Sequence, residues 1–377
     1  MNKIAFINGR IFDGEVFHQD EALLVNNEII NAFVSPHEIP SDYSIIDLNN
    51  DVLSAGFIDL QVNGGGGVLF NNSPNEAGLK SITQAHLKYG TTSLMPTVIS
   101  DTTERVTECV NAVKKAIKTN PSLLGIHIEG PFFNPNRRGV HKPDFIRQPN
   151  EADLKFLSNI KDFPLMLTFA PEQLSKQQIN TLASANIKLL AGHTNTDYNT
   201  ISDAVEQGLS GFTHLYNAMS SSTAREPNVM GAALALDKTT ASIIVDGHHI
   251  HPDMVKIAYR CKPKGKLLFV SDAMATVGGA DEFQLYGETI KEEKGRLVNQ
   301  EGKLAGSAIS LIDAVRIAVN ECHIPLEEAL KMASLYPANY LELGDKIGKL
   351  KAGYIADLVH LNNEFEVLNV WKSGLHI

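Results

Sequence analysis

Acidic and imidazole side chains follow four of the short apolar runs in the sequence. Glu129 ends one run, His193 and His214 stand at the ends of two others, and Asp272 follows a fourth. One carboxylate and two imidazoles suit a borderline divalent ion such as Zn²⁺, with positions left open for water. Such an ion lowers the pKa of its bound water, and a nearby aspartate can take and return the proton. The pattern therefore predicts a hydrolytic metal centre, with a hydrogen-bonded structural role as the alternative for each histidine.

Other histidines near these positions are interpreted differently. His249 and His251 have the spacing of a metal-binding pair, but they follow Gly247 in a predicted loop, where the two rings need not share a face. His127 lies two residues before Glu129 and therefore points to the same side of the strand. We expect His127 to support the site from inside the protein rather than to bind the ion.

A second group of residues has the chemistry of an anion site. Arg225 lies in a polar segment at 220–228, and Asn217 and Ala218 come shortly before it. Arginine binds phosphate with two parallel hydrogen bonds, and loop N–H groups add donors without net charge. These residues predict a phosphate-binding mouth, with a solvated surface arginine as the alternative for Arg225.

The elements that would carry these residues alternate along the chain. Short apolar runs are followed by amphipathic segments of helical length, a pattern typical of a parallel sheet with helices outside it. The runs are 57–62, 92–99, 123–129, 165–170, 187–192, 210–215, 241–246 and 266–271, and the helical segments are 76–89, 103–118, 175–185, 200–207, 252–260 and 308–321. Eight such units predict a (β/α)8 TIM barrel, in which chemistry sits at the carboxyl ends of the strands. A doubly wound open sheet is the alternative.

Both chain ends have a different texture. Short apolar runs separated by turn residues fill the first 52 residues and the last 32, with no helical pattern. We therefore predict three segments: 1–52 and 346–377 as two parts of one small β-sandwich, and 53–345 as the barrel.

Composition narrows the range of functions. The 33 basic and 43 acidic residues give a net charge of −10, which disfavours a nucleic-acid partner. No run approaches the 18 apolar residues of a membrane span, and the three cysteines form no CxxC motif. The motifs HExxH, GxSxG and GxxxxGK[ST] are also missing from the sequence, and the run Gly64 to Gly67 does not fit GxGxxG. We expect a cytoplasmic enzyme without a membrane partner.

Eight short motifs together resemble the N-acetylglucosamine-6-phosphate deacetylase family of the amidohydrolase superfamily. The motifs are GFIDLQVNGGGG (56–67), HIEGPF (127–132), GVHKPDF (139–145), AGHTN (191–195), THLYNAM (213–219), DGHHI (246–250), SDAMA (271–275) and LAGS (304–307). The resemblance implies metal-dependent hydrolysis of the acetamide of N-acetyl-D-glucosamine 6-phosphate, on a TIM barrel with a β-sandwich.

The resemblance also implies a role for each matching residue. Glu129, His193 and His214 match metal ligands, Asp272 matches the catalytic acid and base, and His141 matches the histidine that polarises the acetyl carbonyl. The positions that match substrate contacts are Val140, Asn217, Ala218, Arg225, His249, Leu304, Ala305 and Gly306. In that family the arginine can come from the neighbouring subunit, so a homodimer is implied.

One position departs from the wider superfamily. Where many amidohydrolases have an HxH pair on the first strand, this sequence has Gln61 and Asn63. Neutral amides are poor ligands for transition metals, so we expect one divalent ion per subunit, Zn²⁺ first and Fe²⁺ as an alternative. Gln61 and Asn63 would then hydrogen-bond solvent or substrate. The competing functions are another amidohydrolase, such as a cyclic amidase or an aminopurine deaminase, and a non-catalytic barrel scaffold.

Overall fold

A parallel barrel forms the centre of the molecule. The computed structural model describes residues 2–300 and 302–377, and within them eight parallel strands are hydrogen-bonded in sequence order. The strands are Phe57–Val62, Thr91–Ile99, Ile126–Glu129, Leu165–Phe169, Lys188–Ala191, Leu209–Phe212, Thr240–Ile243 and Leu267–Phe269. Each overlaps one of the apolar runs, since strands covered on both faces consist largely of apolar residues. The barrel prediction is confirmed.

The first and last strands meet just beyond their ends. Val62 forms a parallel bridge with Ala273, and the Asn63 N–H donates to the Ala273 carbonyl at 2.9 Å. The Asp272 N–H donates to the Gln61 carbonyl at 3.0 Å. These bonds close the sheet on the side where the candidate residues lie, so the open-sheet alternative is wrong.

Helices surround the barrel, and the amphipathic segments overlap six of them. Thr103–Ala116 buries Val106, Val110 and Val113, and the Thr102 hydroxyl caps it by accepting from the Arg105 N–H at 3.2 Å. The other helices are Glu76–Leu87, Glu151–Ser158, Lys176–Ser184, Tyr198–Glu206, Asn228–Ala235, Pro252–Cys261, Leu311–Asn320, Leu326–Ala333 and Leu335–Tyr340. None of the helices in the described residues is long and apolar enough to cross a membrane.

Both chain ends contribute to a β-sandwich. One sheet consists of Lys3–Ile7, Ala22–Asn26, Ile29–Val34 and Ser44–Asp47, and the other of Arg10–Phe12, Phe17–His18, Val52–Ala55, Leu358–Leu361, Val367–Lys372 and Leu375–His376. Within the second sheet, Ala55 pairs with Leu358, which joins the amino-terminal and carboxy-terminal segments. Phe6 and Trp371 pack edge to face between the sheets, with ring centroids 4.8 Å apart.

An antiparallel sheet follows the last barrel strand and was not predicted. Its strands are Glu282–Leu285, Glu288–Glu293, Arg296–Val298 and Leu304–Ser307. One face of this sheet is apolar and packs against Met274 near the mouth of the barrel, through its own residues Leu285, Ile290 and Leu297. The strands are short and carry many charged residues, so their alternation is weak in the sequence.

Candidate active site

A cavity of about 180 Å³ opens at the carboxyl ends of the barrel strands. Most of the predicted site residues line it, although they are spread over nearly 250 positions of the chain. They are Asn63, Glu129, Val140, His141, His193, His214, Asn217, Ala218, His249, Asp272, Leu304 and Gly306. Their convergence follows from the barrel, because parallel strands bring all their carboxyl ends to one face.

Glu129, His193 and His214 converge on one point. The His214 Nε2 lies 2.9 Å from the Glu129 Oε1 and 3.1 Å from the His193 Nε2, and the His193 Nε2 lies 3.3 Å from the same carboxylate oxygen. All three side chains are buried. Burial opposes ionisation of Glu129, but hydrogen bonds with the two imidazoles outweigh it and hold the pKa of the carboxyl well below its usual value. One anionic oxygen and two imidazole nitrogens, all within 4.8 Å of one another, fit a single divalent ion.

The backbone turns sharply at three of the four central residues. His193, His214 and Asp272 have φ of 50°, 34° and 52°, in the left-handed region that non-glycine residues rarely adopt. Each such conformation costs about 1–3 kcal/mol and persists where surrounding contacts impose it. All three follow a barrel strand by two or three residues, and their side chains line the cavity.

The tautomer of His193 suits a metal ligand. Its Nδ1 lies 2.8 Å from the Arg137 carbonyl oxygen, which can only accept, so Nδ1 carries the proton. Burial lowers the pKa of His193, which favours the neutral ring. The Nε2 lone pair is therefore directed at the cluster. Phe133 stacks on the ring at 4.2 Å and fixes its plane.

Asp272 lies beside the cluster and is held by two amides. The Asn63 Nδ2 donates to its Oδ1 at 2.7 Å and the Gln61 Nε2 donates to the same oxygen at 3.1 Å. The Gln61 Nε2 also donates to the Glu129 Oε1 at 3.2 Å. The Gln61 amide thus bridges the two carboxylates, whereas the Asn63 amide contacts Asp272 and lines the cavity. The hydrogen bonds of these two amides to solvent or substrate stay a prediction. Burial, together with the charge of Glu129, raises the pKa of Asp272 to about 6.

His141 presents a defined donor to the cavity. Its Nδ1 accepts from the Ser100 N–H at 3.3 Å and contacts the Ser100 Oγ at 2.9 Å. Burial, with the nearby His193, lowers the pKa of His141 to about 3, so the ring is neutral. A neutral imidazole that accepts at Nδ1 carries its proton on Nε2.

His249 is oriented by Asp246 at the end of the seventh barrel strand. The His249 Nδ1 lies 2.6 Å from the Asp246 Oδ2, and the Asp246 Oδ1 accepts from the N–H groups of His248 and His249, both at 2.8 Å. The other member of the predicted pair, His251, is exposed and caps a helix, so the two rings do not share a site.

Three predicted residues do not line the cavity. Gln61 lies below it, and Ala305 is fully buried in the core of the inserted sheet. Arg225 is exposed in its loop. His127 points into the barrel, where its Nε2 contacts the Thr168 Oγ1 at 2.7 Å. The inward position expected for His127 is confirmed, and its role in supporting the site stays a prediction.

Sequence reasoning missed the residues that orient the site. Ser100, Asp246 and the Arg137 carbonyl each fix one of the cavity imidazoles, as the contacts above show. Asp246 follows an apolar run and could have been found by that signal. No sequence signal pointed to Ser100 or Arg137, because each contacts a histidine far away in the chain. Ser100 lies 41 positions from His141, and Arg137 lies 56 positions from His193.

Comparisons with known proteins agree with this architecture. The sequence matches the model of the amidohydrolase family over residues 52–376. The N-acetylgalactosamine-6-phosphate deacetylase of Shewanella sp. (strain ANA-3) is 40% identical over 329 residues, which cover 87% of this chain and 83% of the relative. The N-acetylglucosamine-6-phosphate deacetylase of Haemophilus influenzae is 35% identical over 377 residues, which cover 99% of this chain and 98% of the relative.

A solved structure gives the same result in three dimensions. The crystal structure of N-acetylglucosamine-6-phosphate deacetylase from Pasteurella multocida superposes with a TM-score of 0.96 at 35% identity. The superposition covers 100% of this chain and 99% of that one. The likeness therefore includes the sheets at the chain ends as well as the barrel.

Proposed function

Because this chain belongs to the amidohydrolase family, we propose that it hydrolyses the acetamide of N-acetyl-D-glucosamine 6-phosphate to D-glucosamine 6-phosphate and acetate. The observation that carries the proposal is the convergence of Glu129, His193 and His214 on one point, with Asp272 beside them in the same cavity. A non-catalytic scaffold would have no need of these four buried groups, three of them in strained backbone conformations.

Glu129, His193 and His214 would hold one divalent ion per subunit, which we take to be Zn²⁺, with Fe²⁺ as the alternative. When bound, such an ion supplies Lewis acidity and lowers the pKa of a coordinated water. The donor set fits the ion because the His193 Nε2 is unprotonated and the Glu129 carboxylate is anionic.

Asp272 moves the proton. Gln61 and Asn63 both donate to its Oδ1, so Oδ2 is the oxygen that this pair does not occupy. Oδ2 accepts a proton from the attacking water as the new C–O bond forms. It returns that proton to the amide nitrogen as the C–N bond breaks, which releases acetate and the free amine. A pKa near 6 suits a group that must both take and give a proton near neutral pH.

His141 stabilises the charge that develops on the acetyl oxygen. Its protonated Nε2 can donate a hydrogen bond to that oxygen as attack proceeds, while Ser100 holds the ring from the other side. A preorganised donor of this kind needs no rearrangement at the moment of reaction.

The phosphate would be bound on the side of the cavity formed by Asn217, Ala218 and His249. Asp246 contacts Nδ1 of His249, so Nε2 is the nitrogen left for the ligand. We assign Arg225 to the phosphate as well, supplied by the neighbouring subunit of a homodimer, since it does not line the cavity of its own chain. Val140, Leu304 and Gly306 would contact the sugar. A cytoplasmic location remains a prediction.

The 40% identity with a protein named N-acetylgalactosamine-6-phosphate deacetylase favours a second candidate substrate. The two sugars differ only in the configuration of one hydroxyl group, and both present the same acetamide and phosphate to the residues above. We therefore propose N-acetyl-D-galactosamine 6-phosphate as the alternative substrate.

The test is acetate release from the two sugar phosphates, with a cyclic amide and an aminopurine as controls for other amidohydrolase activities. We expect turnover of at least one sugar phosphate, its loss after chelation, and its recovery when Zn²⁺ or Fe²⁺ is restored. The ratio of kcat/KM values decides between the two sugars. Turnover of a control substrate without acetate release would overturn the proposed function.

A further inference from the structure

Glu172 follows the fourth barrel strand and has no part in the mechanism above. It is half-buried, and its carboxylate accepts hydrogen bonds from groups on both sides of His193. We infer that Glu172 is a positioning residue that sets the orientation and tautomer of His193 for metal binding. The inference rests on the proposed metal site, but not on which sugar is the substrate.

The first set of contacts fixes the chain that follows His193. The Glu172 Oε1 accepts from the Asn195 N–H at 2.8 Å, and its Oε2 accepts from the Thr194 hydroxyl at 2.5 Å. The Thr194 N–H in turn donates to the Ala218 carbonyl at 3.1 Å. The two residues after His193 are therefore hydrogen-bonded to the segment that follows the fourth barrel strand and to the loop that follows the sixth.

The second set of contacts fixes the loop that faces the imidazole. The Asn134 Nδ2 donates to the Glu172 Oε1 at 3.0 Å, and the Asn134 N–H donates to the His193 carbonyl at 3.0 Å. The Arg137 N–H donates to the Asn134 carbonyl at 2.9 Å, and the Arg137 carbonyl accepts from the His193 Nδ1 at 2.8 Å. The carbonyl that sets the His193 tautomer thus belongs to a turn that Glu172 anchors.

The backbone of His193 explains why this anchoring matters. Its φ of 50° lies in the left-handed region that non-glycine residues rarely adopt, and the contacts on both sides hold the residue in that conformation. Partners that orient a ligating histidine typically change metal affinity by about 10–100-fold when they are removed. We expect an effect of that size on Zn²⁺ binding when the Glu172 carboxylate is removed.

The experiment measures the Zn²⁺ dissociation constant of the full-length enzyme by competition with a chromophoric chelator. We expect the dissociation constant to rise about 10–100-fold in Glu172→Ala. A smaller rise is expected in Glu172→Gln, which keeps one acceptor oxygen, and in Thr194→Val, which removes one donor. The control Glu206→Ala removes an exposed glutamate at a helix end and should leave the constant unchanged.

Two further readouts separate positioning from folding. The thermal midpoint of the metal-free protein should change little in Glu172→Gln, and the combined effect of Glu172→Gln and Thr194→Val should be less than the sum of the single effects. A wild-type dissociation constant in folded Glu172→Ala, or in Glu172→Gln if the alanine variant does not fold, would overturn the inference. So would a lower thermal midpoint with unchanged Zn²⁺ affinity. A wild-type enzyme that binds neither Zn²⁺ nor Fe²⁺ would instead overturn the proposed function, and this inference with it.

Discussion

Asp59 is a buried carboxyl beneath the active site, and it forms no salt bridge with any residue that the structure describes. Its Oδ1 accepts from the Gln61 N–H at 3.1 Å and from the Ser271 N–H at 3.3 Å, so it joins the first and last barrel strands next to Asp272. Burial raises the pKa of Asp59 from 3.8 to about 7, although these hydrogen bonds oppose the shift.

This shift predicts a pH dependence of stability. In the unfolded chain Asp59 ionises near pH 4, whereas in the folded chain it keeps its proton up to about pH 7. Folding therefore opposes ionisation, so the contribution of Asp59 to the free energy of unfolding falls as pH rises between these values, by up to about 4 kcal/mol. Asp59→Asn, an uncharged isostere of the protonated carboxyl, should be increasingly more stable than the wild type from pH 4 to 7.

Urea unfolding at several pH values measures this difference. The gap between Asp59→Asn and the wild type should widen with pH and level off above pH 7, and the exposed control Asp20→Asn should show no such gap. A gap that stays constant with pH would show that Asp59 is ionised in the folded protein.

Asp272 provides the second prediction at this scale. Asp272→Asn removes the group that takes and returns the proton, and general acid–base catalysis typically contributes about 10²–10⁴-fold. We expect kcat to fall by at least that factor while Zn²⁺ still binds, since none of the three ligands changes. Steady-state kinetics and metal analysis of the same preparation check both parts, and near-normal turnover would remove Asp272 from the mechanism.

At the scale of elements, a buried ion pair ties the sandwich to the barrel. The Lys372 Nζ donates to the Asp357 Oδ2 at 2.7 Å and to the Ser93 Oγ, on the second barrel strand, at 3.2 Å. Both charged side chains are buried, with exposed fractions of 8% and 5%. Breaking such a pair leaves an uncompensated charge inside the protein, which typically costs about 3–5 kcal/mol.

We therefore expect Asp357→Ala to lower the free energy of unfolding by about 3–5 kcal/mol. Asp357→Asn should lower it less, because its amide oxygen can still accept from Lys372. Urea unfolding measures both, and kcat at a temperature where the variant is folded should stay unchanged. If Asp357→Ala lowers the free energy of unfolding by less than about 1 kcal/mol, water or another group must compensate the charge of Lys372.

At the scale of the whole molecule, the position of Arg225 bears on assembly. Arg225 is exposed and does not line the cavity of its own chain, which is the reason for proposing that it contacts the phosphate bound to a second subunit. Arg225→Ala should raise KM for the phosphorylated sugar more than for the unphosphorylated one. Equal effects on the two substrates would remove Arg225 from the phosphate site.

Mixed dimers test whether the arginine acts across the interface. Neither Asp272→Asn nor Arg225→Ala alone should show normal turnover at low substrate concentration. After subunit exchange, a hybrid would contain one site with an intact Asp272 from one chain and an intact Arg225 from the other. Recovery of activity on mixing is expected, and its failure in verified hybrids would assign Arg225 to its own subunit or to no site.

The sequence by itself was sufficient for the barrel and for the central residues of the cavity. The apolar runs are local features, and eight of them with helices between admit few arrangements, so the strand ends that carry Glu129, His193 and Asp272 could be expected to meet. Four helices were missed, and each has eight residues or fewer: Glu151–Ser158, Asn228–Ala235, Leu326–Ala333 and Leu335–Tyr340. The division of the chain at residues 52 and 346 stays a prediction.

Only the tertiary structure decided how the site is held. Glu172, Asp246 and Ser100 act through hydrogen bonds to loops or imidazoles. The amides of Gln61 and Asn63 both hold the Asp272 carboxylate, which Gln61 also links to Glu129. These contacts depend on distances of about 3 Å between groups far apart in the chain, and hydrophobic periodicity contains no information on such distances. The pattern of apolar residues therefore selects the fold, whereas the orientation of each functional side chain emerges only when the fold brings its partners within hydrogen-bonding range.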